Sequence, residues 1–435
     1  MSASAAGGPR HSFVVLRHRD YALFWGAALV SNSGSWMQSI AAPYVIFQIT
    51  KSTTWLGIGA FMAFFPALCM GPLAGSLADR FPRKRILIYT QLGMMGTAFG
   101  LFAAWELGIA TRGVIIGLLC LSGIASGLNI TAWQSFVPQL VPRADLLHAV
   151  RVNSMQFVAA RAFGPALAGL VLEAFGAGTA FLINALSFVF VLAALFAIHP
   201  RPVTLDSTAG RVRDHFREAV AYVRARQAIL LPVITITMVS FLGSSIVQLT
   251  PAFAQDAFGV GRSAYGFLVS AFGIGAVVGS IVVALWAERS PRSRVAIFGI
   301  FLFASGELIF GAAPTYAVGV VGMFVMGSAY VLIATALNTS IQARVDETHR
   351  GRAMSIYLMG LLAGVPLGSL LQGTLASLVG LRATVLGFGA LLVGWTFFAI
   401  VRYEHFHPLD EALEDETGRG PDLVIGSPPS IASAD

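Results

Sequence analysis

The chain has 435 residues, of which 56% are hydrophobic and only 11% are charged. Soluble globular proteins carry roughly 25% charged residues, so this composition, with a mean hydropathy of +0.76, excludes a soluble enzyme, a disordered chain and a nucleic-acid-binding domain. The two cysteines, Cys69 and Cys120, lie in apolar runs and are too few for a disulfide framework or a zinc site.

Long intervals without charge predict the membrane spans, because a spanning helix needs about 20 mostly apolar residues. The first dozen residues lack the apolar core of a cleaved signal peptide, so the first long interval is expected to be span 1. The runs lack the alternation of a membrane barrel, which predicts an all-α membrane protein with twelve transmembrane helices. Numbered in chain order, the spans are 21–50, 52–78, 86–105, 113–142, 152–172 (with Arg161), 174–200, 227–255, 263–287, two within 295–343 that turn at Pro314 and contain Glu307, 353–381 and 383–401.

Basic residues fall mainly in every second loop, which predicts the orientation of the spans. Of the 28 lysines and arginines, Arg161 lies within a span and only four lie in the loops on one side. The others lie in the tails and the loops on the other side, which the positive-inside rule makes cytoplasmic. We therefore expect both termini to be cytoplasmic. The four exceptions are Lys51, Arg112, Arg262 and Arg382.

The charge pattern divides the chain into five segments. Residues 1–15 and 404–435 are predicted to be disordered cytoplasmic tails, the second of them acidic. Residues 16–199 and 227–403 each supply a six-helix bundle. Residues 200–226 link the bundles and place apolar side chains on one helical face with arginines around them, which predicts an amphipathic helix on the inner membrane surface. Binding of a partner protein by this helix is the alternative.

A loop sequence recurs at the equivalent place in each half. Residues 78–85 after span 2 are ADRFPRKR and residues 287–294 after span 8 are AERSPRSR, so five of eight positions are identical and an acid matches an acid. The repeat predicts two pseudo-symmetric six-helix bundles in parallel topology. This is an architecture of secondary transporters, which bind substrate near the midplane between the halves and alternate access by rocking.

Several segments resemble a known family. Residues 75–84, GSLADRFPRK, resemble the loop signature of the major facilitator superfamily, with Pro82 where that pattern has glycine. Residues 164–169, GPALAG, resemble the antiporter motif of span 5, with Ala168 in place of a glycine. Residues 16–21, 34–38 and 137–146 are similar to the enterobactin-exporter-like and macrolide-efflux branch of that superfamily.

The resemblance implies a transporter rather than an enzyme: a proton-coupled exporter of a medium-sized amphipathic compound, such as a siderophore, a macrolide or another drug, in a bacterial cytoplasmic membrane. An importer of a small solute is one alternative, and a non-transporting membrane receptor or assembly partner is another. We expect a monomer that binds a small-molecule substrate and the lipid bilayer, without nucleic acid, cofactor or ATP. A P-loop needs G-x-x-x-x-G-K-[ST], whereas Lys51 and Lys84 follow Thr50 and Arg83.

The resemblance also implies roles for the loop residues. Asp79 would lie against the N-terminus of span 11, whose unpaired N–H groups carry a partial positive charge, and would hold the halves closed on the cytoplasmic side. Glu288 would do the same at the start of span 5. The alternative is that these charges only set the topology. The predicted conformational switch comprises Gly75, Leu77, Asp79, Arg80, Arg83, Lys84, Glu288, Arg289 and Arg292, and the antiporter-like residues are Gly164, Pro165 and Gly169.

Two ionisable residues lie deep in the predicted spans, where such groups are functional suspects. Arg161 lies about 15 Å from Arg151 along a helix, near the middle of a roughly 30 Å hydrocarbon core. It either binds an anionic or carbonyl-rich substrate group or braces the carbonyls freed by Pro165. Glu307 either carries a coupling proton or is a structural or lipid-edge residue, which the peripheral place of span 9 in the superfamily fold implies.

Polar and aromatic residues in mid-span are the remaining candidates for substrate contact, because polar side chains are costly in lipid and face a cavity or another helix. Each could equally form a helix–helix hydrogen bond. The eight histidines lie in tails, loops or span edges, which argues against a histidine proton relay, and Glu106, Glu173 and Asp256 lie at span ends, where we expect solvation. The candidates are Asn32, Trp36, Gln38, Asn129, Trp133, Gln134, Gln248 and Asn338.

Overall fold

The computed structural model describes residues 13–201, 212–286, 290–345 and 347–401. Within these ranges the chain is helical and has no β-strand, as the apolar runs predict. Apart from residues 13–15, the two predicted tails lie outside the described residues.

The first four spans are single helices whose charged residues cluster at their ends, since a charge in the hydrocarbon core is costly. A short 3-10 turn, Phe13–Arg17, precedes them. The helices are span 1, Arg19–Thr50; span 2, Thr53–Arg80; span 3, Arg83–Glu106; and span 4, Arg112–Phe136, which is followed by short turns at Val137–Gln139 and Arg143–Asp145.

Spans 5 and 6 form one run of helix, Leu146–Ala197, that folds back at Gly176. A straight helix of 52 residues would be about 78 Å long, far more than a roughly 30 Å core. Gly176 has a φ of 83°, which residues with a Cβ avoid. Both ends of the run lie beside the start of span 1: Tyr21 donates to the carbonyl of Ala149 at 2.8 Å, and the backbone amide two residues after the run donates to Asp20 at 3.3 Å. The two parts are therefore antiparallel.

The C-terminal half begins with a broken helix. Span 7 starts as an α-helix, Gln227–Met238, and continues through π-helical and 3-10 turns to Ala257. These turns free backbone carbonyls, and Gln372 of span 11 donates to the carbonyl of Leu242 at 2.6 Å. The predicted turn at Pro314 lies between spans 9 and 10. The other helices are span 8, Arg262–Leu285; span 9, Arg292–Ala312; span 10, Tyr316–Gln342; span 11, Glu347–Val379; and span 12, Leu381–Val401.

The helices agree with the predicted twelve spans. Ten segments of the described chain have the length and apolar composition to cross a membrane. One of them, residues 143–197, contains spans 5 and 6, and the 32-residue helix of span 1 is additional. The predicted all-α membrane fold is thus confirmed, and the described helices are consistent with two six-helix halves.

Buried apolar side chains form a separate core in each half and a third core that joins them. One cluster, around Phe24 and Trp133, belongs to the N-terminal half, and another, around Phe272, belongs to the C-terminal half. The third combines both halves and includes Phe47 and Tyr265. We call the end at which span 1 begins the arginine-rich face, and the end at which span 1 meets span 2 the opposite face. The shared core lies toward the opposite face.

The predicted linker helix is present at Val212–Arg224. Its side chains Ala219 and Val223 are only 3% and 2% exposed, and Val223 belongs to the core of the C-terminal half. A guanidinium nitrogen of Arg352, at the start of span 11, lies 3.1 Å from Oε2 of Glu218. The apolar face of this part of the helix therefore packs against the C-terminal half, and its place on the inner membrane surface stays a prediction.

Candidate substrate-binding site

Spans 5 and 8 join the two halves through backbone contacts that depend on glycine. A methyl group at Gly169 would lie 2.8 Å from the Cα of Gly266, and one at Gly273 would overlap the carbonyl oxygen of Arg161. The carbonyl of Pro165 also packs against Gly266. Small residues let membrane helices approach closely, so Pro165 and Gly169 of the antiporter-like motif lie at the interface between the halves.

Hydrogen bonds close the opposite face across the same pair of spans. Glu173, at the end of span 5, accepts from the backbone amides of Arg262 and Ser263 at the start of span 8, at 2.9 and 3.2 Å. The guanidinium of Arg262 donates to the carbonyl of Leu172 at 3.1 Å and to the hydroxyl of Tyr44 at 3.3 Å. Glu173 is exposed, as its place at a span end predicts, and its carboxylate also binds the other half.

Spans 2 and 11 are also joined at the opposite face. Thr53 donates to the carbonyl of Gly373 at 2.8 Å, and Thr54 donates to the hydroxyl of Ser377 at 2.9 Å. Farther along span 2, Gly71 has no neighbouring atom within 4 Å of the position that a Cβ would occupy. The two spans therefore touch at the opposite face, and span 2 faces open space at Gly71.

The contacts between the two halves extend from the opposite face as far as Arg161. The hydrogen bonds and ring contacts between the described residues of the two halves run from the opposite face to the level of Arg161. Between that level and the arginine-rich face, the described residues of the two halves share no hydrogen bond or ring contact. From this distribution of contacts we infer a cleft between the halves that opens toward the arginine-rich face and has Arg161 at its closed end.

The Arg161 guanidinium lies beside two adjacent aromatic rings of the other half, whose centroids are 6.0 Å apart. Its central carbon is 5.2 Å from the ring centroid of Phe272 in span 8 and 5.2 Å from that of Tyr330 in span 10. Both distances are within the range of cation–π attraction. The side chain is partly exposed, and it has no hydrogen-bond or ion-pair partner among the described residues. It does not donate to the carbonyls near Pro165, which was the structural alternative.

Trp36 is the predicted aromatic candidate that lies nearest to this level of span 5. A methyl group at Gly164 would lie 2.7 Å from the Trp36 ring, so the ring rests on the backbone one turn of helix beyond Arg161. Gly164 of the antiporter-like motif therefore makes room for Trp36.

Several other predicted candidates bind neighbouring helices within the N-terminal half. Gln38 accepts a hydrogen bond from Asn184 at 2.8 Å, and Asn129 donates to Thr90 at 2.9 Å. Trp133 is buried, with its ring centroid 4.3 Å from that of Phe24. These three residues therefore contact neighbouring helices, which was the alternative to contact with substrate.

The structure does not bring the remaining candidates to Arg161 through any contact found in the described chain. Asn338 bonds to Gln342 in its own helix. Gln134 is exposed, and Asn32 and Gln248 are half-buried.

Sequence reasoning missed the two rings and two buried amides. Phe272 and Tyr330 sit in apolar runs, where an aromatic residue gives no signal of its own. Gln156 in span 5 is 2% exposed, and neither its amide oxygen nor its nitrogen has a hydrogen-bond partner among the described residues. Gln91 in span 3 is buried as well. The same signal that selected Gln38, an amide in an apolar run, would have found both.

Glu307 lies inside the C-terminal half. It is 0% exposed, and neither carboxyl oxygen has a hydrogen-bond partner among the described residues. Phe303 and Phe310, one turn before and one turn after it on span 9, are fully buried too. A position at the lipid edge is therefore wrong for Glu307.

The switch residues are described only in part. Gly75, Leu77 and Arg80 belong to the last turns of span 2, and a Cβ at Gly75 would have open space within 4 Å. Lys84 at the start of span 3 donates to the carbonyl of Ile198 at 2.8 Å, which fastens the loop to the end of span 6. Arg83 and Arg292 begin spans 3 and 9. The side chain of Asp79, and all of Glu288 and Arg289, lie outside what the structure describes.

Comparison with known proteins assigns the family. A family model described as transmembrane secretion effector matches residues 10–417. The chain belongs to this family of major facilitator transporters. It is 24% identical over 394 residues to the staphyloferrin A transporter of Staphylococcus aureus, covering 87% of this chain and 96% of that one. It is 26% identical over 405 residues to the multidrug efflux pump Tap of Mycobacterium tuberculosis, covering 90% and 95%.

Two further comparisons agree with this assignment. The enterobactin exporter EntS of Escherichia coli is 26% identical over 402 residues, covering 89% of this facilitator and 94% of EntS. Among solved structures, a bacterial homologue of the human lysosomal transporter Spinster, inward-facing and unoccupied, superposes with a TM-score of 0.71 at 15% identity, covering 94% of this chain and 100% of that one. The likeness to the Spinster homologue shows the fold alone. The predicted superfamily and branch are confirmed by these relatives.

Proposed function

We propose that this facilitator is a proton-coupled exporter of a medium-sized amphipathic compound, which works by alternating access in a bacterial cytoplasmic membrane. The observation that carries the proposal is a cleft between two six-helix halves with a partly exposed guanidinium, Arg161, at its closed end. Relatives named as a siderophore transporter, a multidrug pump and an enterobactin exporter support the direction and the class of cargo.

The positive-inside rule makes the arginine-rich face cytoplasmic. With that assignment both termini are cytoplasmic, and the conformation described above accepts substrate from the cytoplasm. Rocking of the halves about the level of Arg161 would separate Glu173 from the start of span 8 and open the cleft to the outside. Asp79 would then dock on the N-terminus of span 11 and hold the cytoplasmic side closed.

Glu307 is the candidate carrier of the coupling proton. A carboxyl group without a partner in the interior is far less costly to bury when it is neutral, so Glu307 is suited to bind and release a proton as the packing around it changes. No ATP-binding motif stands in the sequence, which leaves an ion gradient as the energy source.

Inverted membrane vesicles test the proposal, because their outer surface is the cytoplasmic one. Vesicles energised by respiration would be given three fluorescent probes: cationic ethidium, neutral N-dansyl-phenylalanine methyl ester and anionic N-dansyl-phenylalanine. We expect at least one probe to accumulate inside, and an uncoupler to abolish the accumulation. Vesicles from cells with the empty vector are the control.

Three results would contradict the proposal. Accumulation that persists with the uncoupler would remove the proton gradient as the energy source. Accumulation only in right-side-out vesicles would identify an importer, and the absence of any accumulation would favour a receptor or assembly partner.

A further inference from the structure

The closed end of the cleft is a positively charged site without a protein counter-ion. Arg161 has no ion-pair partner within the described chain, and the other deep ionisable residue, Glu307, is enclosed within the C-terminal half at 0% exposure. A charge inside the membrane is stabilised by an opposite charge or by hydrogen bonds. The cleft therefore favours a ligand that supplies an anion.

The aromatic pair holds the guanidinium and leaves its N–H donors available. A cation–π contact needs no N–H donor, and none of the five donors of this guanidinium has an acceptor among the described residues. Arg262 and Arg382 behave differently: Arg262 donates to Leu172 and Tyr44, and Arg382 donates to two carbonyls while it lies over Phe258. Arg161 lies against aromatic rings, as these two arginines do, but its N–H groups have no acceptor among the described residues.

We propose that the site takes an amphipathic anion, whose carboxylate or similarly flat acidic group binds the donor fork of Arg161 and whose apolar part lies against Phe272 and Tyr330. This inference rests on the proposed function and names the chemical class of its substrate. Since the rings and the guanidinium come from different halves, a ligand bound here contacts both halves, and its affinity depends on their separation.

A matched pair of probes tests the charge preference directly. Purified full-length protein in detergent would be titrated with N-dansyl-phenylalanine and with its methyl ester, which differ only in the carboxylate. We expect the acid to bind about 10- to 100-fold more tightly, the range of a charge-assisted hydrogen bond. Arg161→Gln should abolish the difference, Arg161→Lys should retain part of it, and Tyr330→Leu should weaken binding of the acid.

Arg382→Gln is the matched control, because it removes an arginine that also lies over a ring but lies at the opposite face. It should keep the wild-type preference for the acid. Equal binding of acid and ester, binding of neither, or a preference that survives Arg161→Gln would each overturn the inference. Should Arg161→Gln not fold, the Arg161→Lys and Tyr330→Leu titrations decide. Uncoupler-sensitive transport of ethidium or the ester without preference for the acid would leave the proposed function standing and only this inference refuted.

A second inference follows from an unusual helix cap at the opposite face. Span 8 begins after Gly261, which has no side chain to bond the first free amides of the helix. The cap comes instead from Glu173 of the other half, which accepts from Arg262 and Ser263. A carboxylate at a helix N-terminus satisfies free donors and interacts favourably with the helix dipole, and here that stabilisation exists only while the two halves touch.

We infer that Glu173 is a positioning residue that keeps the opposite face closed. A reporter cysteine at Ala376, which is buried in the shared core, measures opening in a protein that carries Cys69→Ser and Cys120→Ser. We expect Glu173→Gln to speed labelling by a membrane-impermeant maleimide from that face by about 5- to 30-fold, the range for loss of a charged cap. Glu106→Gln is the matched control, because Glu106 lies at the same face against Gly178 of its own half.

A rescue variant distinguishes an effect on opening of the opposite face from an effect on the stability of span 8. Gly261 has an extended backbone, with φ −75° and ψ −176°, which a capping serine adopts readily. Adding Gly261→Ser to Glu173→Gln should restore the melting temperature and leave labelling fast, since the new cap comes from the same half. Labelling that stays at the wild-type rate in Glu173→Gln, or that returns to it with Gly261→Ser, would overturn this inference.

Discussion

Gly266→Ala should shift the protein away from the conformation described here. In that conformation a methyl group at Gly266 would lie 2.6 Å from the Cα of Gly169 and close to the carbonyl of Pro165. Both are backbone atoms that cannot rotate away, and overpacking of this kind typically costs about 1–3 kcal/mol. Alanine also favours the helix by about 1 kcal/mol, but that gain applies in both conformations and cancels. The population with an open opposite face should therefore rise about 5- to 150-fold.

The Ala376→Cys labelling assay measures that population. Gly96→Ala is the control, because Gly96 of span 3 has no atom within 4 Å of the new methyl group. The control should keep the wild-type labelling rate, whereas Gly266→Ala should label faster and transport more slowly. Wild-type labelling in a normally folded Gly266→Ala protein would refute the reasoning that this contact exists only in one conformation.

Three further variants test the proposed cycle. Asp79→Asn should abolish or strongly reduce transport in the vesicle assay with membrane insertion intact, because the amide removes the charge proposed to face the span 11 N-terminus; near-wild-type transport would contradict that role. Glu288→Gln should be milder, because its loop has Ser293 where the first has Lys84, and an equal or greater loss would count against the asymmetry. Glu307→Gln should abolish uphill, uncoupler-sensitive accumulation but keep exchange of probe down its gradient; retained uphill accumulation would exclude Glu307 as the proton carrier.

The positions of most helices could be predicted from the sequence because apolar length alone decides which segments cross a membrane. The boundary between spans 5 and 6 shows the limit of that reasoning. The charge of Glu173 placed the boundary at residue 173, whereas the chain turns at Gly176, where a left-handed backbone is needed. The π-helical and 3-10 turns of span 7 were not predictable, since they leave no mark on the pattern of hydropathy.

The candidate site was predictable only on one side of the interface. A lone arginine in a span stands out in any sequence, so Arg161 was identified. Its rings, Phe272 and Tyr330, depend on how the two halves pack, which a single sequence does not encode in a local pattern. The partners of Glu173 were not predictable for a related reason: they are backbone amides, and these have no side-chain signature.

Reciprocal movement of the two faces is the most direct test of the account. Spin labels at Ile49 and Leu378, exposed residues near the opposite face, and at Leu73 and Leu362, exposed residues toward the arginine-rich face, would report the distances between the halves in the full-length protein. Alternating access predicts that acidification and added N-dansyl-phenylalanine lengthen the first distance and shorten the second. Two distances that change in the same sense, or that both stay fixed, would contradict alternating access between the halves.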